Sequence, residues 1–219
     1  MAYFFLALFA VAAVTHLIGN WVEKKIICTI TKPLLVSLLF AYYLTARFPD
    51  PGVLLLCALA AAWLGDVLLM PAGLGWFVAG GISFAGAHVL FIIAFAQHAA
   101  AAPVVPVILL SLVYIALTGL VLFLIRNEAP KPLMLPMGLY LICNGVMNIF
   151  AFSCLLSAPG IGTALIFAGA VSFFASDCVL VRLRYRKGKS WRVPENFVIM
   201  ITYILAMFLI TQGALLAGY

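Results

Sequence analysis

Three charged side chains interrupt long apolar stretches of the sequence, and two of them are carboxylates. Asp66 lies within WLGDVLLM, Asp177 within FFASDCVL, and Lys32 within ITKPLL. An ionised aspartate is costly in hydrocarbon, so it persists only where it faces a protein interior or a wet cavity with a partner in reach. Two carboxylates in such a low-dielectric site can divide acid-base work, one donating a proton while the other, near a cation, stays ionised. Asp66 and Asp177 are therefore the candidate catalytic pair.

The composition predicts that these residues lie in a membrane. Of the 219 residues, 67% are hydrophobic and 8% are charged, which excludes a soluble domain with a polar exterior. The net charge of +6 does not indicate a nucleic-acid partner, because six of the twelve lysines and arginines fall between Arg182 and Arg192, beside an apolar segment. The sequence predicts an integral membrane protein that binds no nucleic acid.

Breaks rich in proline, glycine and charge divide the chain into eight apolar segments. Each approaches the roughly 20 residues that cross a bilayer core, and the third is the shortest. The predicted fold is an all-α integral membrane protein, a single-domain bundle of eight transmembrane helices with a polar intramembrane cavity. The predicted helices cover about residues 3–20, 26–44, 53–70, 76–97, 107–125, 133–156, 163–183 and 197–216.

Basic residues predict the orientation. Lysines and arginines fall in the first, fifth and seventh loops, whereas only Arg47 falls in an even-numbered loop. Since loops rich in these residues stay cytoplasmic, both termini should face the exterior or periplasm, in a bacterial inner membrane. At 1.5 Å per residue, Asp66, Asp177 and Lys32 lie about 6, 8 and 9 Å from the inner ends of their helices. We therefore expect helices 2, 3 and 7 to meet around these charges, with helices 4, 6 and 8 closing the cavity.

Other polar side chains could support this site, and each also has a structural interpretation. Lys32 either pairs with the aspartates or extends to the interface. His88, about 18 Å into its helix, lies deeper than the carboxylates and either bonds in the core or lines the pocket. Asn144 and Asn148, four residues apart, either join helices or orient water. The candidate supporting residues are Lys32, His88, Tyr140, Asn144, Tyr203 and Arg182.

Short motifs recur along the chain in a fixed order. They are Lys32-Pro33, L-G-D at 64–66, S-F-x-x-x-H at 83–88, F-x-x-S-D at 173–177, and Tyr203 in the last helix. In order and spacing they resemble the YhhN-like family, which contains the lysoplasmalogenases, from the second helix to the eighth. The resemblance implies hydrolysis of the vinyl ether bond of lysoplasmalogens to a fatty aldehyde and a glycerophospho-base, with Asp66 and Asp177 implicated.

The chemistry of a vinyl ether suits two carboxylates. A proton is placed on the outer alkenyl carbon, water adds to the resulting oxocarbenium ion, and the hemiacetal collapses to an aldehyde. Glycosidases use two carboxylates around a similar oxocarbenium-like state. One carboxylate is expected to donate the proton and the other to orient the water, and the sequence leaves open which aspartate is the acid. The substrate's phosphate would meet Lys32 or the arginines after the seventh helix, among them Arg182. Lysophospholipid and water are the expected partners, and no cofactor is expected.

Two other functional classes, and a structural interpretation, remain open at this stage. A lipid or small-molecule transporter would use the buried charges as a relay. A zinc hydrolase needs several convergent histidines, but His16, His88 and His98 are widely spaced, so no metal site is predicted. The five cysteines show no CxxC pairing.

The aspartates could also have a structural role, in which they form a pair tied to Lys32. The oligomeric state is open.

Overall fold

The computed structural model describes residues 1–99, 102–185 and 194–219. Throughout these ranges the regular structure is helical and contains no strand, which confirms the predicted all-α class. The described residues form eight helices, which are α1 (Ala2–Trp21), α2 (Lys25–Ala46), α3 (Val53–Leu68), α4 (Leu74–Ala96), α5 (Val104–Ile125), α6 (Lys131–Ser157), α7 (Ile161–Tyr185) and α8 (Glu195–Ala217).

Seven of these helices are long and apolar enough to cross a membrane, and α3 is the exception, with 16 residues. α3 was predicted to continue to Met70 but ends at Leu68. Pro71 explains this end, because a proline disfavours the helical conformation of the residue before it. Large apolar side chains are exposed along the outer surface of the bundle, as on α5, which fits a lipid-facing exterior. That all eight helices cross the bilayer stays a prediction.

A proline inside α2 lies where this helix meets α3. Pro33 has no N–H to donate to the helix, and its carbonyl accepts a hydrogen bond from the indole Nε1 of Trp63 at 3.0 Å. Lys32 precedes this proline, and Asp66 lies three residues after that tryptophan. The contact therefore fixes the two helices together beside the first candidate carboxylate.

The packing order of the helices differs from the predicted one. α8 packs against α1, α2 and α7, while α4 packs between α3 and α6. Across the described ranges the backbone of α7 does not closely approach that of α2 or α3, so these three helices do not pack directly against one another as predicted. The most extensive interface is that of α7 with α8. Since α8 contacts both α2 and α7, it joins the helix that carries Lys32 to the helix that carries Asp177.

Glycines explain the close α7–α8 interface. A Cβ at Gly169 would lie 2.8 Å from the backbone nitrogen of Ile210 and 2.9 Å from the carbonyl oxygen of Ala206. Backbone atoms cannot avoid a clash by changing rotamer as a side chain can, so a methyl group at Gly169 would push α7 and α8 apart. Small residues at such positions let membrane helices approach closely.

Gly169→Ala should therefore lower the free energy of unfolding by about 1–3 kcal/mol, as expected for overpacking. Gly86→Ala is the matched control, because its Cβ would meet nothing within 4 Å. It should be neutral or stabilising by up to about 1 kcal/mol, since alanine is the better helix former. Unfolding of both variants in mixed micelles measures the difference. Equal stability of the two variants would contradict the close backbone contact.

Candidate active site

Asp66 is held by residues from two other helices. The carboxylate is 2% exposed. The Tyr203 hydroxyl of α8 donates to its Oδ2 at 2.6 Å, and the Lys32 ammonium of α2 lies 3.7 Å from its Oδ1. Each carboxylate oxygen thus has its own partner, one neutral and one cationic. Of the two interpretations of Lys32, the ion pair with an aspartate is the one observed.

Asp177 lies in a different electrostatic environment. Its Oδ2 accepts hydrogen bonds from the Tyr140 hydroxyl at 2.7 Å and from Nδ2 of Asn144 at 2.6 Å. These two donors are four residues apart on α6, so they share one face of that helix. No lysine or arginine of the described residues forms an ion pair with Asp177. The second carboxylate is therefore bound by neutral donors.

A chain of hydrogen bonds behind Asp177 fixes the orientation of Asn144. Its side-chain oxygen accepts from Nδ2 of Asn148 at 3.0 Å, and the Asn148 oxygen accepts from the Tyr114 hydroxyl at 2.7 Å. Because the Asn144 oxygen is already engaged, its amide nitrogen is the atom that faces Asp177. The two asparagines join α5, α6 and α7, which is the inter-helix role considered for them. Tyr114 was missed in the sequence, where a lone tyrosine in an apolar helix gives little signal.

His88 reaches the Asp177 carboxylate, contrary to the expectation that it lies deeper. Its Nε2 is 3.8 Å from Oδ2 of Asp177, and its side chain is fully buried. The ring packs edge-on against Phe173, with centroids 4.8 Å apart, and tilts against Tyr140 at 5.4 Å. Counting residues from helix ends assumed parallel helices with level ends, and this contact shows that the assumption does not hold for the fourth and seventh helices.

Aromatic rings connect the two carboxylate centres. Tyr203, which donates to Asp66, packs edge-on against Phe84 and Phe173 with centroids 5.8 and 5.5 Å apart. Phe84, Phe173 and Tyr203 thus form an aromatic layer between the two centres.

Arg182 is engaged with another partner. Its Nη1 lies 2.9 Å from Oε2 of Glu128, in the connection between α5 and α6. Both side chains are partly exposed, so the pair contributes little stability, and a phosphate could compete for the guanidinium. The predicted phosphate contact of Arg182 stays a prediction. The basic residues from Arg186 to Arg192 lie outside the described residues.

The histidines occupy separate environments. Nδ1 of His16 lies 2.7 Å from the Thr31 hydroxyl, and His98 stacks on Tyr219 with centroids 3.9 Å apart. Among the described residues, no three histidine, cysteine, aspartate or glutamate side chains are grouped so that they could hold a metal ion.

An apolar cavity of about 290 Å³ opens beside the aromatic layer. Its lining comes mainly from α4, α6 and α7, and includes Gly81, Ala85 and Leu180. Phe84 and Tyr140 form part of its wall, so the cavity ends at side chains that contact the two centres. The polar intramembrane cavity expected from the sequence stays a prediction, since this cavity is apolar and the carboxylates are not on its wall.

A model of the YhhN family matches residues 27–214. The chain belongs to the YhhN family. The matched segment contains both aspartates and extends from α2 into α8, so the resemblance found in the short motifs is confirmed. No curated protein and no solved structure matches the chain significantly. As a YhhN-family protein, it combines, within the described part of the chain, seven long apolar helices with two buried, separately bound carboxylates.

Proposed function

We propose that this YhhN-family protein is a membrane hydrolase that cleaves the vinyl ether bond of lysoplasmalogens. The observation that carries the proposal is the pair of buried aspartates in unlike surroundings. Asp66 lies beside the Lys32 ammonium, whereas Asp177 accepts from the neutral donors Tyr140 and Asn144. A carboxylate next to a cation keeps its charge more readily than one among neutral groups. This asymmetry supports one proton donor and one anion in a single site.

Asp177 is the proton donor in this proposal. Since both of its neutral donors point at Oδ2, the transferable proton belongs on Oδ1. That proton goes to the outer alkenyl carbon, the double-bond electrons form the new C–H bond, and the ether oxygen shares the positive charge. Asp66 stays ionised and stabilises this oxocarbenium ion, because preorganised charges act strongly in a dry site. Its two oxygens are already engaged by Lys32 and Tyr203, which supports charge stabilisation over the water-orienting role expected from the sequence.

The apolar cavity supports a substrate with one hydrocarbon chain. At about 290 Å³ it is near the lower limit of typical ligand pockets, and it opens between helices whose outer surface is apolar. A lysolipid brings a single chain. In this proposal the chain occupies the cavity with its ether end toward Tyr140. The vinyl ether then lies next to the side chain that is hydrogen-bonded to the proton donor, Asp177.

Filling the cavity should weaken substrate binding. In Gly81→Leu the new side chain clashes with no protein atom near Cβ and projects into the cavity. At about 0.8 kcal/mol per methylene, loss of roughly two methylene contacts raises KM about tenfold. Gly86→Leu is the matched control, since Gly86 is also an unhindered glycine of α4 but is absent from the cavity lining. Steady-state kinetics of aldehyde release measures both variants, and equal KM values would contradict this binding site.

The proposed function is tested by presenting the purified protein with a lysoplasmalogen in mixed micelles and measuring free fatty aldehyde. Matched 1-alkyl and 1-acyl lysophospholipids, which lack the vinyl ether, should release no aldehyde. The same protein in liposomes tests the transporter alternative. Movement of intact lysolipid between leaflets without aldehyde release would reject hydrolysis and favour a carrier.

A further inference from the structure

His88 is a fully buried polar side chain whose hydrogen bonds are not made within the protein. Among the described residues, neither Nδ1 nor Nε2 has a hydrogen-bond partner, and the side chain is 0% exposed. A neutral imidazole has one N–H donor and one acceptor nitrogen. Leaving both unpaired in a protein interior destabilises the fold, so buried polar groups are nearly always satisfied. An imidazole placed solely for packing would be disfavoured here.

The surroundings of His88 indicate what it contacts. Its Nε2 faces Oδ2 of Asp177 at 3.8 Å, which is too long for a direct hydrogen bond. One bridging water spans about 4.4 Å between its two partners, so a shift of the ring by under about 1 Å lets a water bond to both atoms. Phe173 and Tyr140 cover the ring. About 7% of the Asp177 side chain remains accessible, so this side chain is not completely enclosed by protein.

We propose that His88 is a further catalytic residue, and that its Nε2 holds the attacking water against Asp177 and accepts that water's proton. This inference rests on the proposed vinyl ether hydrolysis. In that reaction Asp177 has already given its proton to the alkenyl carbon, so it is anionic when water attacks. The imidazolium that then forms lies beside a carboxylate of opposite charge, which stabilises it.

Water, His88 and Asp177 together account for every proton that moves in this reaction. As the water oxygen bonds to the oxocarbenium carbon, one of its O–H bonds breaks and the proton moves to Nε2 of His88. In the hemiacetal, the C–O bond to glycerol breaks, and the glycerol oxygen takes the proton from the imidazolium. The hemiacetal hydroxyl gives its proton to Asp177. One water is consumed, and both side chains return to their starting forms.

The test uses the full-length protein with His88→Ala and His88→Gln. Both should reduce kcat by at least about a hundredfold, the typical loss of a general base, with little change in KM. Adding imidazole should restore part of the kcat of the Ala variant, because a free base can enter the space left by the ring. His98→Gln is the control, since His98 lies just beyond the end of the same helix and contacts Tyr219. It should keep the wild-type rate with or without imidazole.

Folding of each variant is checked by thermal unfolding and by size-exclusion profile. A folded Gln variant with wild-type kcat would overturn the assignment, and so would a folded, inactive Ala variant that imidazole does not rescue. Failure of both variants to fold would give His88 a structural role and overturn it as well. If the wild-type protein releases no aldehyde, the proposed function fails and this inference fails with it, an outcome distinct from effects confined to the variants.

Discussion

Asp66→Asn and Asp177→Asn should each reduce turnover of a lysoplasmalogen by at least about a hundredfold. Loss of a general acid lowers rates by about 10²–10⁴, and loss of a preorganised stabilising group by about 10²–10³. Folding should survive, because asparagine has nearly the shape of aspartate and can still accept a hydrogen bond from Tyr203 or Tyr140. Asp50→Asn is the matched control, since Asp50 is exposed between α2 and α3 and should keep wild-type turnover.

The double variant carries further information about the aspartates. Since both carboxylates act on one sequence of steps, Asp66→Asn/Asp177→Asn should be little slower than the slower single variant, as for residues that act as a unit. Aldehyde release by each purified protein gives the comparison. Multiplicative losses would assign separate functions to the two residues, and near wild-type turnover in either single variant would reject the mechanism.

Lys32→Met should destabilise the protein, with an expected loss of about 3 kcal/mol. This is the lower end of the range for breaking a buried ion pair, and it applies because the Lys32 side chain is 20% exposed while that of Asp66 is 3% exposed. Asp66 would be left as a buried carboxylate without its cation. Turnover should fall too, since the charge on Asp66 is then less favoured.

A second substitution separates stability from chemistry at this pair. Lys32→Met/Asp66→Asn removes both charges, so most of the lost stability should return while turnover stays as low as in Asp66→Asn. Lys131→Met is the control, because Lys131 is an exposed residue at the start of α6. Unfolding in mixed micelles and aldehyde release, measured on the same preparations, give both quantities. Stability that stays low in the double variant would contradict the pairing of Lys32 with Asp66.

Hydropathy predicted the helices well, because an apolar run must form a helix to satisfy its backbone in a membrane. The predicted helix ends were less accurate where prolines lie near them. α3 ends before Pro71, and α6 begins at Lys131, two residues earlier than predicted. Pro130 lies just before the first residue of that helix, which agrees with the tendency of prolines to mark helix starts.

The candidate site could be predicted as a set of residues but not as an arrangement. The rarity of charges in apolar segments indicated Lys32, Asp66 and Asp177. The structure shows the first two as an ion pair, which is one of the two interpretations that the sequence left open for Lys32. The spacing of Tyr140 and Asn144 places them on one helical face, but the helix they face depends on tertiary packing. That packing depends on backbone contacts such as the one between α7 and α8 at Gly169. A pattern of small residues in the sequence predicts close packing but does not identify the partner helix.

The central claim is that Asp177 starts the reaction by protonating the vinyl ether carbon. The most direct measurement is the isotopic composition of the aldehyde that the purified protein releases from a lysoplasmalogen in D₂O, trapped at once by reduction to the alcohol. The wild-type protein should give product with one deuterium on the carbon next to the former carbonyl, and Asp177→Asn should give almost no product. Aldehyde without solvent deuterium at that carbon, or no aldehyde from the folded wild-type protein, would contradict the mechanism.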